Sequence, residues 1–207
     1  GAQDLKLPQS LQVLSLSANE IGPEGAQRLQ LPVSLEELYL GYNGINATGA
    51  RGLNLTQTPI LQKLDLKWNP IGPEGAQNLK LPPNLRMLDL SNNGINGISD
   101  EGAQGLWLPT SLKTLYLSAN GIGAGGVQGL RLPLNLQTLD LSLNPIGFVG
   151  ARALLTKTPN LQTLILQWIQ IGPSVVDLKL PSSLRSLDLV NNIIGPAGAK
   201  GLKLPAS

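Results

Sequence analysis

The sequence predicts an α/β solenoid, with a parallel sheet along its concave side and short helices or 3-10 turns along its convex side. Two observations carry this reading. The frame L-x-x-L-x-L-x-x-N-x-I recurs eight times, starting at Leu11, Leu35, Leu61, Leu85, Leu112, Leu136, Leu161 and Leu184. Successive starts are 24, 26, 24, 27, 24, 25 and 23 residues apart. The second half of each unit repeats too, in variants of I-G-P-E-G-A-x-x-L-x-L-P. A unit this small cannot bury its apolar face alone, so the units must stack into one continuous core. Residues 1–10 fit the back half of one further unit, and 1–207 reads as a single domain.

Within each unit, L-x-x-L-x-L reads as a short strand. Leucines such as Leu14 and Leu16 point inward and the residues between them point out. Strands of successive units pair in parallel, about 4.8 Å apart. The asparagine eight residues after each start (Asn19, Asn43, Asn69, Asn93, Asn120, Asn144, Asn192) falls where the chain turns inward. There its amide meets buried backbone groups that otherwise lack partners. Ile169 breaks this column, which predicts a local distortion or a compensating polar group. The following Gly-Pro-Glu-Gly-Ala opens a helix, with proline and glutamate suited to its first turn. Ser99-Asp100-Glu101-Gly102 reads as a capping sequence in the same place, and Asn46-Ala47-Thr48-Gly49 as a variant. Leu-x-Leu-Pro stops the helix after about two turns. The longer units carry insertions near Thr56–Thr58, Gly97–Ser99 and Thr156–Thr158, expected to bulge from the convex or edge side.

The leucine and asparagine offsets resemble the leucine-rich repeat family over nearly the whole chain. The G-P-E-G-A-x-x-L stretches at 22–29 and 72–79 resemble its ribonuclease-inhibitor-like subfamily, where such a segment opens a helix. These units are a few residues shorter than that subfamily's. The resemblance implies a right-handed leucine-rich-repeat horseshoe or arc, a curved binding surface and no enzyme chemistry.

Composition narrows the function further. A net charge of +2 is too small to imply nucleic-acid binding by bulk charge. No apolar run is long enough to span a membrane. The chain has no histidine and no cysteine, which removes the usual general base, the thiol nucleophile and most zinc sites. The absence of disulfide-bonded caps favours either a truncated chain or a reducing compartment, hence an intracellular location, or a host cytosol for a bacterial effector-type protein. Asn46-Ala47-Thr48 and Asn54-Leu55-Thr56 match the glycosylation sequon and read as coincidental in that setting. The chain begins inside a unit and neither end carries a distinct cap. Continuation of the natural protein and end-to-end self-association are therefore expected.

The outward strand positions hold the candidate site. Five of the seven aromatics fall on them: Tyr39, Tyr42, Trp68, Tyr116 and Trp168. Tyrosine and tryptophan are enriched at binding hot spots. A protein-binding surface centred on Tyr39, Tyr42, Trp68 and Tyr116 follows, with Lys63, Asp65, Lys67 and Asp89 as mixed-sign contacts; ordinary surface packing is the alternative. Asp65 and Asp89 fall on adjacent strands with Lys63, Lys67 and Arg86 around them, which reads as a solvated, charge-balanced row. A hard cation needs about six oxygens, and no further ligand is in view. No catalytic residue, metal or cofactor is expected. Lys6, Gln30, Lys80, Trp107, Arg131, Lys179 and Lys203 form a second, convex stripe, read as a solubilising surface. The expected function is a non-enzymatic scaffold binding a protein partner on the concave face, as part of a larger receptor or effector-type protein. A substrate-targeting domain of a larger ligase or protease is the alternative.

Overall fold

The computed structural model describes residues 5–94 and 97–205. Eight three-residue strands form one parallel sheet in sequence order: β1 (Val13–Ser15), β2 (Glu37–Tyr39), β3 (Lys63–Asp65), β4 (Met87–Asp89), β5 (Thr114–Tyr116), β6 (Thr138–Asp140), β7 (Thr163–Ile165) and β8 (Ser186–Asp188). The register is uniform, with Leu14, Leu38, Leu64, Leu88, Leu115, Leu139, Leu164 and Leu187 aligned across the sheet. From Leu38 to Leu164 these central leucines are fully buried, together with Leu90 and its counterparts two residues on.

The helices lie on the other side: α1 (Gly22–Arg28), α2 (Ala47–Gly52), α3 (Gly72–Asn78), α4 (Ser99–Gly105), α5 (Ala124–Gly129), α6 (Gly147–Leu155) and α7 (Gly195–Gly201). Six or seven residues is the usual length, as the early Leu-x-Leu-Pro stop requires. The helix entry needs a left-handed residue, which glycine supplies at Gly22, Gly72, Gly147 and Gly195. Ser99 occupies that slot at φ 60, and so it does not cap α4. Its neighbour Asp100 instead accepts the N–H of Gly123 in the next unit at 2.5 Å. The side-chain cap is Asn46, whose Oδ1 accepts the N–H of Gly49 at 3.1 Å.

Two of the three insertions pack inward rather than bulging. In unit 2 a 3-10 turn, Leu55–Gln57, sends Leu55 into the core, and Thr58 is buried with its hydroxyl on the Leu55 carbonyl. In unit 6 the extra residues lengthen α6 and bury Leu154. Lys157 then donates to the carbonyls of Val127 and Gln128 at the end of α5. The unit 4 insertion falls between Asn93 and α4, and its residues 95–96 lie outside the described range.

The asparagine ladder welds the units together. Asn69 Oδ1 accepts the N–H of Asn43 and of Ile45, both at 3.0 Å, while its Nδ2 donates to Leu40 and Leu66 carbonyls. Asn43, Asn120, Asn144 and Asn192 repeat the pattern. The break at Ile169 leaves the strand register intact, contrary to the expected distortion. The isoleucine is fully buried, and the N–H of Ile146 turns back onto the Asn144 carbonyl at 2.8 Å. A second break appears at Asn93, whose Oδ1 is buried without a partner beside the insertion. The same repair operates there, with the N–H of Ile71 on the Asn69 carbonyl at 2.8 Å.

Unit 7 also differs on the helical side. Being one of the shortest units, it forms a 3-10 helix, Pro173–Asp177, which packs on α7 and barely touches α6. The cleft left behind is lined by Val149, Arg152, Thr156, Asp177 and Lys179.

Candidate partner-binding surface

The strands place the fifth residue of each unit in one row across the sheet: Ser15, Tyr39, Asp65, Asp89, Tyr116, Asp140, Ile165 and Asp188. Asp65 and Asp89 are not the solvated, charge-balanced row that the sequence suggested, and Asp140 and Asp188 share their geometry. Each turns one oxygen onto the N–H two residues later: Asp65 onto Lys67 (2.9 Å), Asp89 onto Ser91 (2.9 Å), Asp140 onto Ser142 (2.8 Å) and Asp188 onto Val190 (3.0 Å). This is the local turn that aspartate makes wherever a chain leaves a strand. Asp65 is withdrawn, at 6% exposed, while Asp89, Asp140 and Asp188 stay partly exposed.

The lysines do not gather around the two aspartates as expected. Lys67 alone pairs with Asp65, Nζ to Oδ2 at 3.2 Å. It folds across Gly41, where a Cβ would stand 3.2 Å from Lys67 Cγ, so the glycine makes room for the pair. Lys63 reaches back to Glu37 at 2.7 Å, and the Tyr39 hydroxyl donates to the other Glu37 oxygen at 2.6 Å. Arg86 lines a separate groove with Ser111 and Lys113 at the opposite edge of the strands.

These contacts set the ionisation. Glu37 is held below the usual carboxylate range, first by the Lys63 hydrogen bond and then by Tyr39. The Tyr39 hydroxyl is pushed up by its bond to Glu37. Lys63 and Lys67 are raised by Glu37 and Asp65 respectively. Burial pushes Asp89 up, against a lowering by Ser91.

The aromatics divide into two rows. Tyr39 and Tyr116 stand half-buried on the sheet. Tyr42 and Trp68 stand on a rim beyond it, because the eighth residue of every unit is left-handed: Ala18, Tyr42, Trp68, Asn92, Ala119, Leu143, Trp168 and Asn191 have φ between 53 and 58. Alternation would have turned this position inward; the left-handed backbone swings it out. Tyr42 is 50% and Trp68 49% exposed, and their rings stack with centroids 5.1 Å apart and planes 13° apart. Lys67 links the two rows.

Glu37 was missing from the candidate set, although alternation alone places its position outward and it ties Tyr39 to Lys63. Leu143 and Trp168 extend the exposed rim into units 6 and 7. Among the described residues, no group of three or more acidic side chains could hold a metal ion, and no helix is long and apolar enough to cross a membrane. The convex column from Lys6 to Lys203 is exposed throughout.

Comparison with known families agrees with the repeat frame. A leucine-rich repeat model matches residues 8–29, 33–53, 59–80, 109–130, 134–155 and 181–203. A second leucine-rich repeat model matches residues 84–106. Residues 156–180, which hold the divergent features of unit 7, lie between the matched ranges. No curated protein matches the chain. With the matched units covering well over half of the sequence and the parallel sheet and asparagine ladder in place, the chain belongs to the leucine-rich repeat family.

Proposed function

We propose that this chain is a non-enzymatic scaffold that binds a protein partner on its concave face. Leucine-rich repeats are in general protein-interaction modules, and their fold is typically not catalytic. The observation that carries the proposal is the Tyr42–Trp68 pair. Two large aromatics are half exposed and stacked on each other, carried outward by the left-handed eighth position that every unit shares. Tyr39, Lys63, Asp65, Lys67, Asp89 and Tyr116 form the polar, partly desolvated floor beside the pair, within about 15 Å along the stack. An aromatic centre with a polar surround is how protein interfaces concentrate binding energy.

The test is parallel affinity capture with the wild type, Trp68→Ala and Lys179→Ala, read by mass spectrometry. A protein retained by the wild type and by Lys179→Ala but lost by Trp68→Ala supports the rim. The loss should reach about 2 kcal/mol or more. Capture that survives Trp68→Ala and fails with Lys179→Ala would move the interface to the convex side.

A further inference from the structure

We propose that the partner presents a basic polyproline-II segment to this face, with two cationic side chains three residues apart seated on Asp89 and Asp140 astride Tyr116. The inference rests on the concave-face reading above and adds the chemistry of what binds there.

The first argument is the sign of the surface. The outward strand and rim positions carry five acids, Glu37, Asp65, Asp89, Asp140 and Asp188, against two bases, Lys63 and Lys67. The rest of the sequence carries thirteen basic and eight acidic residues. An acidic face on a protein of net charge +2 selects a cationic partner and steers it to one side of the solenoid.

The second argument is which charges remain available. Lys63 neutralises Glu37 and Lys67 neutralises Asp65. Asp188 holds the side-chain amide of Gln167 at 2.6 Å. Asp89 and Asp140 have no ion pair among the described residues; each gives an oxygen to a backbone N–H, and Asp89 also bonds the Ser91 side chain. In the flanking columns of β4, β5 and β6, Met87, Thr114, Thr138, Ser91, Ser118 and Ser142 are uncharged; on β3, Asp65 and Lys67 act on Asp89 with opposite signs, and Lys67 is committed to Asp65. Register places Tyr116 directly between the two carboxylates.

The third argument is spacing. Two parallel-strand steps separate Asp89 from Asp140 by about 10 Å. A polyproline-II chain rises about 3.1 Å per residue and returns to the same face every third residue, which puts like-facing side chains about 9 Å apart. A β-strand has no like-facing pair near that distance, because its facing side chains fall about 7 or 13 Å apart. Tyr116 supplies a ring to the cations, and the Tyr42–Trp68 stack supplies the aromatic ledge on which proline rings pack.

The test is fluorescence anisotropy with the labelled peptide Pro-Pro-Arg-Pro-Pro-Arg-Pro-Pro. Controls are the same peptide with glutamate for arginine and one with the two arginines adjacent. The protein variant is the double substitution Asp89→Asn and Asp140→Asn, which keeps the oxygen that caps each turn and removes both charges. The spaced-arginine peptide should bind in preference to both controls. The double variant should weaken it by about tenfold or more at low salt and converge on the wild type near 1 M salt, where screening acts within about 3 Å. A far-UV melt no lower than that of the wild type keeps misfolding out of the comparison. Equal binding of all three peptides, binding of none, or wild-type affinity in the double variant would overturn the inference. If none binds while Trp68→Ala still loses a captured protein, this inference fails and the concave-face proposal stands. If neither the double variant nor Trp68→Ala changes any binding, both fail.

Discussion

Asn144→Ala removes one rung of the ladder, and the structure fixes what is stranded. Asn144 Oδ1 accepts the N–H of Asn120 at 2.9 Å and of Ile122 at 3.0 Å. Its Nδ2 donates to the carbonyls of Leu117, Leu141 and Ser142. Three of these five groups have a remaining or substitute partner. Leu117 keeps the Asn120 side chain, and Ser142 keeps the N–H of Ala119. The N–H of Ile122 has the route taken by Ile71 and Ile146, back onto the carbonyl two residues earlier. The N–H of Asn120 and the carbonyl of Leu141 are left buried and unpaired. At about 1–3 kcal/mol for each stranded group, the variant should lose about 2–6 kcal/mol. Urea unfolding followed by far-UV circular dichroism measures this against Asn19→Ala. Asn19 is exposed, and its amide donates to Ser17 alone. Its loss should therefore cost under about 1 kcal/mol. A loss below 1 kcal/mol at Asn144, or equal losses at the two positions, would refute the accounting.

Further outcomes follow from the same structure. Leu88 is fully buried at the centre of β4, and Leu88→Ala should cost about 2–5 kcal/mol; an unchanged thermal melt would contradict the register. Asp89 binds its proton more tightly folded than unfolded, because burial raises its pKa. Its contribution thus favours the fold below the ordinary carboxylate range and is lost as pH rises through the raised folded value. Asp89→Asn should be at least as stable as the wild type at pH 7, with the advantage shrinking on acidification; a deficit at pH 7 in denaturant titrations would argue against it. Leu184, Leu187, Leu189 and Leu202 in unit 8 are only partly buried, and Leu204 is exposed. Sedimentation velocity at high concentration should show self-association reduced by Leu204→Lys, and a purely monomeric profile would count against this edge.

The sheet and its core were readable from leucine spacing, because period-two burial leaves little freedom in a three-residue strand. The asparagine column was readable for a similar reason: a buried turn must pair its backbone, and a short amide reaches both the N–H and the carbonyl groups there. The candidate surface was readable as a set of residues and not as a geometry. Asp65 and Asp89 looked outward and solvated because alternation says nothing of a side chain folding onto its own backbone, although aspartate as the last residue of a strand carried that signal. Tyr42 and Trp68 were expected on the outward face and are exposed, but they stand on a rim beside the sheet because a left-handed residue interrupts alternation, and neither is a residue type that announces one. The false cap at Ser99 arose because the unit 4 insertion shifts Ile98-Ser99 into the slot that Ile-Gly fills elsewhere.

The left-handed eighth position has a consequence for diversification. Its conformational penalty arises at the Cβ atom, about 1–2 kcal/mol for any residue other than glycine or, to a lesser degree, asparagine. Alanine at 18 and 119 therefore bears the same backbone burden as tryptophan at 68 and 168. Exchanging one of these side chains for another changes what the rim displays while leaving the cost of displaying it nearly constant. A combinatorial library confined to this column would vary recognition across eight adjacent positions on one folded framework, and its members would differ far more in what they capture than in how well they fold.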